Sequence, residues 1–186
     1  MKIDWFRGKG HRIIAGAFSD GTISLWDLKT KSPLLKSADV LYPLKSFHAH
    51  APQSRPILTL SQDSNEWPKY LVTGSMDRKI IIWNLEHPGE PIIEEEHLCL
   101  GVTDLAWIGH YPKHFIAGFD DAFTINNNRT VVVEVGDKPS GILVHNSTVW
   151  NVDFSPWLNV FIASTSSGEL NMFIGKFELC NKLSIK

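Results

Sequence analysis

Two stretches of this chain follow one template, and that constrains the fold more than anything else in the sequence. Ile14–Leu28 and Leu71–Leu85 each hold a short β-rich run, a polar turn with an Asp, and a second β-rich run. Each ends in Trp-Asp-Leu or Trp-Asn-Leu, with the Trp six residues past the turn Asp (Asp20 to Trp26, Asp77 to Trp83). β-Branched and aromatic residues on both sides of a turn cluster spell a hairpin. Two weaker copies follow. Phe115–Ile125 keeps an Asp at 121 and places Asn127 where the Trp would stand. Phe161–Phe173 has Ser167 at the Asp position and Phe173 at the Trp position.

The Trp-equivalent positions 26, 83, 127 and 173 are 57, 44 and 46 residues apart. A period of roughly 40–45 residues with four strands per unit is the signature of a WD-repeat propeller. The long first interval has a source in residues 29–56, which carry Pro33, Pro43, Pro52 and Pro56 among Lys and Ser, a loop composition. Such insertions cost little. A strand entering each hairpin is also legible: Ile57-Leu58-Thr59-Leu60, Val102-Thr103-Asp104-Leu105-Ala106-Trp107, and Val149–Phe154 with Trp150, Val152 and Phe154 alternating. The expected fold is therefore all-β, an incomplete WD-repeat β-propeller of about four blades in an open arc. Its divisions are a partial blade at 1–28, a linker strand and loop at 29–47, a blade at 48–95, a degenerate blade at 96–144 and a blade at 145–186. Four blades lie at the lower limit of propeller closure. An open arc exposes apolar blade faces and strand edges, so poor solubility or self-association is expected of the isolated chain.

Composition narrows the function classes. Lys plus Arg is 18 and Asp plus Glu is 20, a net charge of −2, which excludes nucleic-acid binding by bulk positive charge. Hydrophobic residues at 43% and charged residues at 20% fit a globular chain. The first ten residues hold no apolar run of signal-peptide length, and no stretch approaches 18 apolar residues. No membrane partner is expected. Two cysteines, Cys99 and Cys180, are too few for a disulfide framework, so both are read as reduced, in an intracellular protein. Asn128-Arg129-Thr130 and Asn146-Ser147-Thr148 match a glycosylation pattern, which carries no weight without a secretory signal.

The polar residues at the repeat turns could be mistaken for a hydrolytic triad. In WD repeats the same types, His, Ser/Thr, Asp and Trp, form a hydrogen-bond network that ties each blade's loops to its third strand and satisfies buried polar groups. The residues expected in that network are Asp20, Trp26, His50, Thr73, Ser75, Asp77, Trp83, Asp121 and His145. His48 competes with His50 for the same place. His110 and His114 are separated by Pro112, which breaks the helical spacing a metal pair needs. Asp120-Asp121 reads as a turn Asp beside a solvated neighbour, and Glu94-Glu95-Glu96 as a solvated edge. Arg78-Lys79 and Lys29, Lys31, Lys36 and Lys45 are too sparse for a phosphate-binding face. No glycine-rich phosphate loop, zinc spacing or nucleophile elbow occurs. No catalytic residue, metal or cofactor is expected.

Three segments carry a narrower resemblance. Ile23–Leu35 ("ISLWDLKTKSPLL"), Asp77–Ile92 ("DRKIIIWNLEHPGEPI"), and Ser147–Trp150 with Trp157-Leu158 and Ser167–Leu170 are similar to the family of the WD-repeat subunit of general transcription factor IIIC. The similarity runs over most of residues 11–174 and is thin across 120–145; members of that family are longer. The resemblance implies a non-catalytic, nuclear scaffold. Its partners would be the other factor IIIC subunits, above all the largest, within a complex that binds internal promoters of transfer-RNA-type genes and recruits the RNA polymerase III machinery. DNA contact would be indirect or weak, through the complex. By resemblance to other WD repeats, partner contacts would fall on the loop face, at Ser19, Met76, Asp120 and Trp150. The alternative is a WD-repeat adaptor in another nuclear or cytoplasmic complex.

Overall fold

The computed structural model describes residues 2–5, 13–28, 42–53, 56–60, 70–85, 87, 89–96, 101–108, 114–120, 128–134, 141–145, 147–155, 157–174 and 181–185. They form sixteen strands in four antiparallel four-stranded sheets, each sheet ordered as the chain runs. Sheet one holds β1 (Lys2–Trp5), β2 (Ile13–Ala17), β3 (Thr22–Asp27) and β4 (Lys45–His48). Sheet two holds β5 (Ile57–Leu60), β6 (Tyr70–Gly74), β7 (Lys79–Asn84) and β8 (Pro91–Glu96). Sheet three holds β9 (Gly101–Trp107), β10 (His114–Asp120), β11 (Asn128–Glu134) and β12 (Gly141–His145). Sheet four holds β13 (Val149–Ser155), β14 (Val160–Thr165), β15 (Leu170–Ile174) and β16 (Asn181–Ile185).

The sheets stand side by side as propeller blades, and the packing follows from their sequences. A middle strand covered on both faces reads as a continuous apolar run. In β7, Ile80 and Ile82 point to one neighbour while Ile81 and Trp83 point to the other. Three cores result. Ile13, Ala15, Ala17, Ile23 and Leu25 of sheet one meet Leu71, Ile81 and Trp83 of sheet two. Val72, Ile80 and Ile82 meet Val102, Leu105, Trp107, Phe115, Ala117 and Phe119 of sheet three. Ala106, Ile108 and Ile116 meet Val149, Val152, Phe154, Phe161 and Ala163 of sheet four. Among the described residues no core joins sheet four back to sheet one. The arc is open, and Ile3 and Trp5 stay 66% and 48% exposed at its first face.

Two sequence expectations change. β4 starts in the stretch read as a linker strand and loop, crosses its boundary at 47, and is a blade strand that completes the first sheet by pairing with β3. As an outermost strand it has three exposed side chains in four, so it lacks the apolar alternation that marks inner strands. Only Phe47 turns inward, packing on Trp83 with ring centroids 4.7 Å apart. The second change concerns sheet three. Trp83 pairs with Leu71, Trp26 with Ile14 and Phe173 with Phe161. By that register the Trp position of sheet three is Val133, opposite Phe115, not Asn127. Seven residues separate β10 from β11, where four separate the second and third strands of the other sheets, so the third strand starts later in the sequence.

In sheets one, two and four the turns joining the second and third strands share one backbone. Gly21, Arg78 and Gly168 occupy equivalent positions with φ of 83°, 74° and 80°, and each donates its N–H three residues back, to Phe18, Ser75 and Thr165. At Gly21 a Cβ would lie 2.1 Å from the His50 carbonyl oxygen, whereas nothing lies within 4 Å at Gly168. Gly21→Ala is therefore expected to cost about 3 kcal/mol through backbone clash and positive φ, and Gly168→Ala about 1 kcal/mol through φ alone. Thermal melts of the two variants check this: the Gly21 change should lower Tm by at least twice as much.

Candidate functional site

The loop end of sheet two holds the most complete polar constellation among the described residues. Thr73 is on β6, Trp83 on β7, Asp77 in the turn between them, and His50 in the segment arriving from β4. Trp83 Nε1–H donates to Thr73 Oγ1 at 2.9 Å. Thr73 Oγ1 lies 3.0 Å from His50 Nε2. His50 Nδ1 lies 3.1 and 3.0 Å from the two Asp77 carboxylate oxygens. Every partner is satisfied when Nδ1 carries the imidazole proton: it donates to Asp77, and Nε2 accepts from the Thr73 hydroxyl. Asp77 also accepts from the N–H groups of Ala51 and Lys79, each at 3.1 Å.

Carboxylate, imidazole and hydroxyl in this order resemble a nucleophilic triad, but access decides otherwise. Thr73 and the His50 side chain have no solvent exposure. The hydroxyl already accepts from Trp83 and has no open face for a substrate. The chain of bonds fastens the entering loop, the turn and the third strand of the blade. Burial pushes the Asp77 carboxyl up, but the hydrogen bond from His50, the charge of that ring whenever it is protonated, and the N–H groups of Lys79 and Ala51 hold it below the usual carboxylate range.

Among the described residues, sheets one and four carry reduced versions. In sheet one, Asp20 accepts from Thr22 N–H at 2.9 Å, a bond that lowers its pKa at a fully exposed position. The hydroxyl position of Thr73 is taken there by Gly16, and Trp26 packs over it: a Cβ at Gly16 would come within 2.9 Å of the indole. Phe18 lies 6.2 Å from Trp26. In sheet four a hydroxyl cluster stands where the charged tie would be: Ser147 Oγ donates to Ser167 Oγ at 2.9 Å, and Thr165 Oγ1 is also 2.9 Å from Ser167 Oγ. Ser75 contributes through its backbone, accepting from Arg78 and from Val102 of the next sheet. His48 faces Thr22 at 3.4 Å rather than competing for Asp77. His145 ends β12, with its backbone opposite Asn128. Asp121 and the His145 side chain lie outside the described residues, as does His110.

The four partner-contact candidates lie at one end of the blades, and three of them meet the next blade. Ser19 accepts through its carbonyl from Gln53 N–H at 2.9 Å. Met76, 42% exposed, lies against Gly101, where a Cβ would sit 2.6 Å from its sulfur. Asp120 accepts from Thr148 Oγ1 at 3.0 Å. These turn residues latch adjacent blades together. Trp150 differs: it is 56% exposed and lies where the register of β13 against β14 slips between Val149 and Asn151. A bulge re-aims the side chain at such a slip.

One polar centre was not singled out in the sequence. Asp104 on β9 is 4% exposed. It accepts from Val152 N–H at 3.0 Å and from Asn151 Nδ2 at 3.4 Å, both on β13, and pairs with Lys2 of β1. A charge inside the apolar run Val102–Trp107 is the signal that marks it, because a buried carboxylate requires partners. Among the described residues no three His, Cys, Asp or Glu side chains converge as a metal site.

Two outcomes follow for the sheet-two tie. Thr73→Val strips Trp83 Nε1 and His50 Nε2 of their shared partner at unchanged volume and is expected to cost about 2–4 kcal/mol in denaturant unfolding. The lowered Asp77 pKa means the folded state binds its proton less readily than the unfolded chain. Its contribution is complete above the ordinary carboxylate range near pH ~4 and is lost as pH falls through and below it. Asp77→Asn should therefore be less stable at neutral pH and lose less stability on acidification, as read by urea unfolding at pH 7 and in the acid range.

Comparison with known proteins places this geometry. Residues 41–84 match the model of the WD domain, G-beta repeat. The whole chain aligns with General transcription factor 3C polypeptide 2 of Homo sapiens and of Pongo abelii, at 27% identity over 194 residues. It spans 21% of the length of these relatives. Striatin-3 of Rattus norvegicus is 30% identical over 102 residues, covering 51% of this chain and 12% of that protein. A solved chain from the crystal structure of the mitotic checkpoint complex superposes with a TM-score of 0.77 over 99% of this chain and 52% of its own, at 13% identity, a likeness of fold. The chain is an all-β, incomplete WD-repeat β-propeller, four blades in an open arc, similar over its full length to polypeptide 2 of general transcription factor 3C.

Proposed function

We propose that this chain is a non-catalytic scaffold segment of the transcription factor IIIC complex, acting in the nucleus. It would support promoter recognition and RNA polymerase III transcription of transfer-RNA-type genes by holding other subunits, the largest above all. The observation that carries this reading is the alignment of the whole chain with General transcription factor 3C polypeptide 2. The chemistry agrees with it. The triad-like groups at Asp77, His50 and Thr73 are consumed by internal bonds, and the blades pack into a stiff support whose turns are latched to one another. With a net charge of −2, contact with DNA would be weak and would depend on the complex.

Trp150 is the residue we assign to partner contact. A large aromatic, more than half exposed on a fixed strand, supplies contact area at low conformational cost. Ser19, Met76 and Asp120 border the same end and support it through the inter-blade latches. Affinity purification of the tagged full-length protein from nuclei, with the co-purifying proteins identified by mass spectrometry, tests the reading. Recovery of the other factor IIIC subunits is expected, with Trp150→Ala weakening retention about tenfold, a loss of about 1.4 kcal/mol. Their absence, with subunits of a different assembly recovered instead, would replace this reading with that of an adaptor elsewhere. Partial similarity to Striatin-3 favours that second reading.

A further inference from the structure

The ion pair between Lys2 and Asp104 joins sheet one to sheet three, past the sheet between them. Strand register explains how. Aligned on their turns, the first strands of the four blades place Lys2, Ile57, Asp104 and Asn151 at one level, opposite Ala17, Gly74, Gly118 and Ser164 respectively. Lys2 and Asp104 thus meet across the inner edge of the arc. Asp104 is held from the other side by Asn151 and Val152.

β1 is placed unusually for an inner strand. Its side chains contribute to none of the three inter-sheet cores. By its pairing, Lys2 and Asp4 share the face of Ala17 and Ala15, which is the face turned to sheet two, while Ile3 and Trp5 turn to the open side. The strand therefore sends a charge, not an apolar side chain, toward its neighbours. Beneath it, β2 buries Ile13, Ala15 and Ala17 and is firmly placed by the first core without help from β1.

We propose that β1 is a releasable strap lying on a strand-acceptor edge, and that Asp104 is the element selecting what lies there. The acceptor is the β2 backbone from Ile13 to Ala17. An incoming extended segment would pair antiparallel with it and place a Lys or Arg opposite Ala17, where the cation reaches Asp104. Main-chain bonds supply the affinity of strand addition, and a single buried charge supplies the choice of register. In this structure β1 of the chain itself is the occupant. Removing the cation leaves the Asp104 carboxylate buried without its counter-charge, which is costly, so the strap and its charge act as one unit.

Hydrogen exchange of the full 186-residue chain tests the strap. In Lys2→Gln the amides of residues 2–5 and the β2 amides paired with them should exchange at least tenfold faster, while those of sheets three and four keep their protection. Lys2→Arg should restore wild-type rates. Asp104→Asn, which preserves an acceptor for Val152, should loosen the same amides, and the double variant should add little to either single change. A nine-residue peptide with the sequence of residues 1–9, added in excess to the Lys2→Gln chain, should slow exchange along β2, and the same peptide with Gln at its second position should not. Unchanged exchange in Lys2→Gln, or loosening spread evenly over four sheets, overturns the strap. Equal protection by both peptides, or by neither, overturns the selective acceptor edge.

Discussion

Sheets two and three each have two apolar faces, and neither can bury both by itself. β7 is the clearest case, because Ile80 and Ile82 serve one neighbour and Ile81 and Trp83 the other. A strand with that sequence has no stable arrangement as a lone hairpin or as one leaf of a two-layer sandwich. It demands a sheet on each side, and repeating the demand generates the arc. Hydrophobic burial at roughly 25 cal/mol per Å² drives the stacking. It is indifferent to register along the blade, so polar groups must set that. The bonds from Thr73 to Trp83 and His50 do so within a blade, and those from Asp120 to Thr148 and Asp104 to Val152 do so between blades.

Much of this was legible in the residues. The recurrence of Trp-Asp-Leu and Trp-Asn-Leu six residues past an Asp marks two hairpins, because a fixed turn fixes the distance between the groups it brings together. His50, Thr73, Asp77 and Trp83 could be named in advance because a repeat that retains all four types can satisfy them in only a few ways. Sheet three was harder. Seven residues separate its second and third strands where four do so in the other sheets, and the third strand carries Val133 at the Trp position. Turn length leaves no periodic trace, so counting forward from Asp121 lands on Asn127. β4 was obscured for another reason: an outer strand faces solvent on most of its surface, and Lys45-Ser46-Phe47-His48 has one inward residue. The Asp104 centre depends on a backbone N–H about 50 residues away and a lysine about 100 residues away in sequence, and no local pattern encodes such a partner.

The ties weaken unevenly around the arc, and the unevenness has a physical meaning. Sheet two has carboxylate, imidazole, hydroxyl and indole in series, with charge-assisted bonds that hold geometry well. Sheet four replaces them with the neutral hydroxyls of Ser147, Thr165 and Ser167, of which Thr165 alone is buried. Sheet one keeps Asp20 but has Gly16 in the hydroxyl position, so its Trp26 is seated by packing against a missing side chain. A blade without the full network must take its rigidity from its neighbours. Sheet four takes it from Asp104 and Asp120 of sheet three, and sheet one takes it from the core shared with sheet two and from the reach of Lys2.

This dependence bears on what the surface can offer. The turn residue ahead of each Asp position is the one a propeller has free for partners, yet here Ser19 and Asp120 are bonded to the following blade and Met76 lies against it. A residue cannot serve two masters at full strength: a partner that took the Asp120 carboxylate would have to displace Thr148 and loosen the junction of sheets three and four. Trp150 has no such conflict, because the bulge lifts it out of the pairing while Val149 and Val152 on either side remain buried in the third core. On the reading proposed above, the binding surface would be narrower than the loop face. It would centre on Trp150, whose anchorage lies in the buried residues flanking it, so that a partner gripping the indole would leave the blades beneath undisturbed.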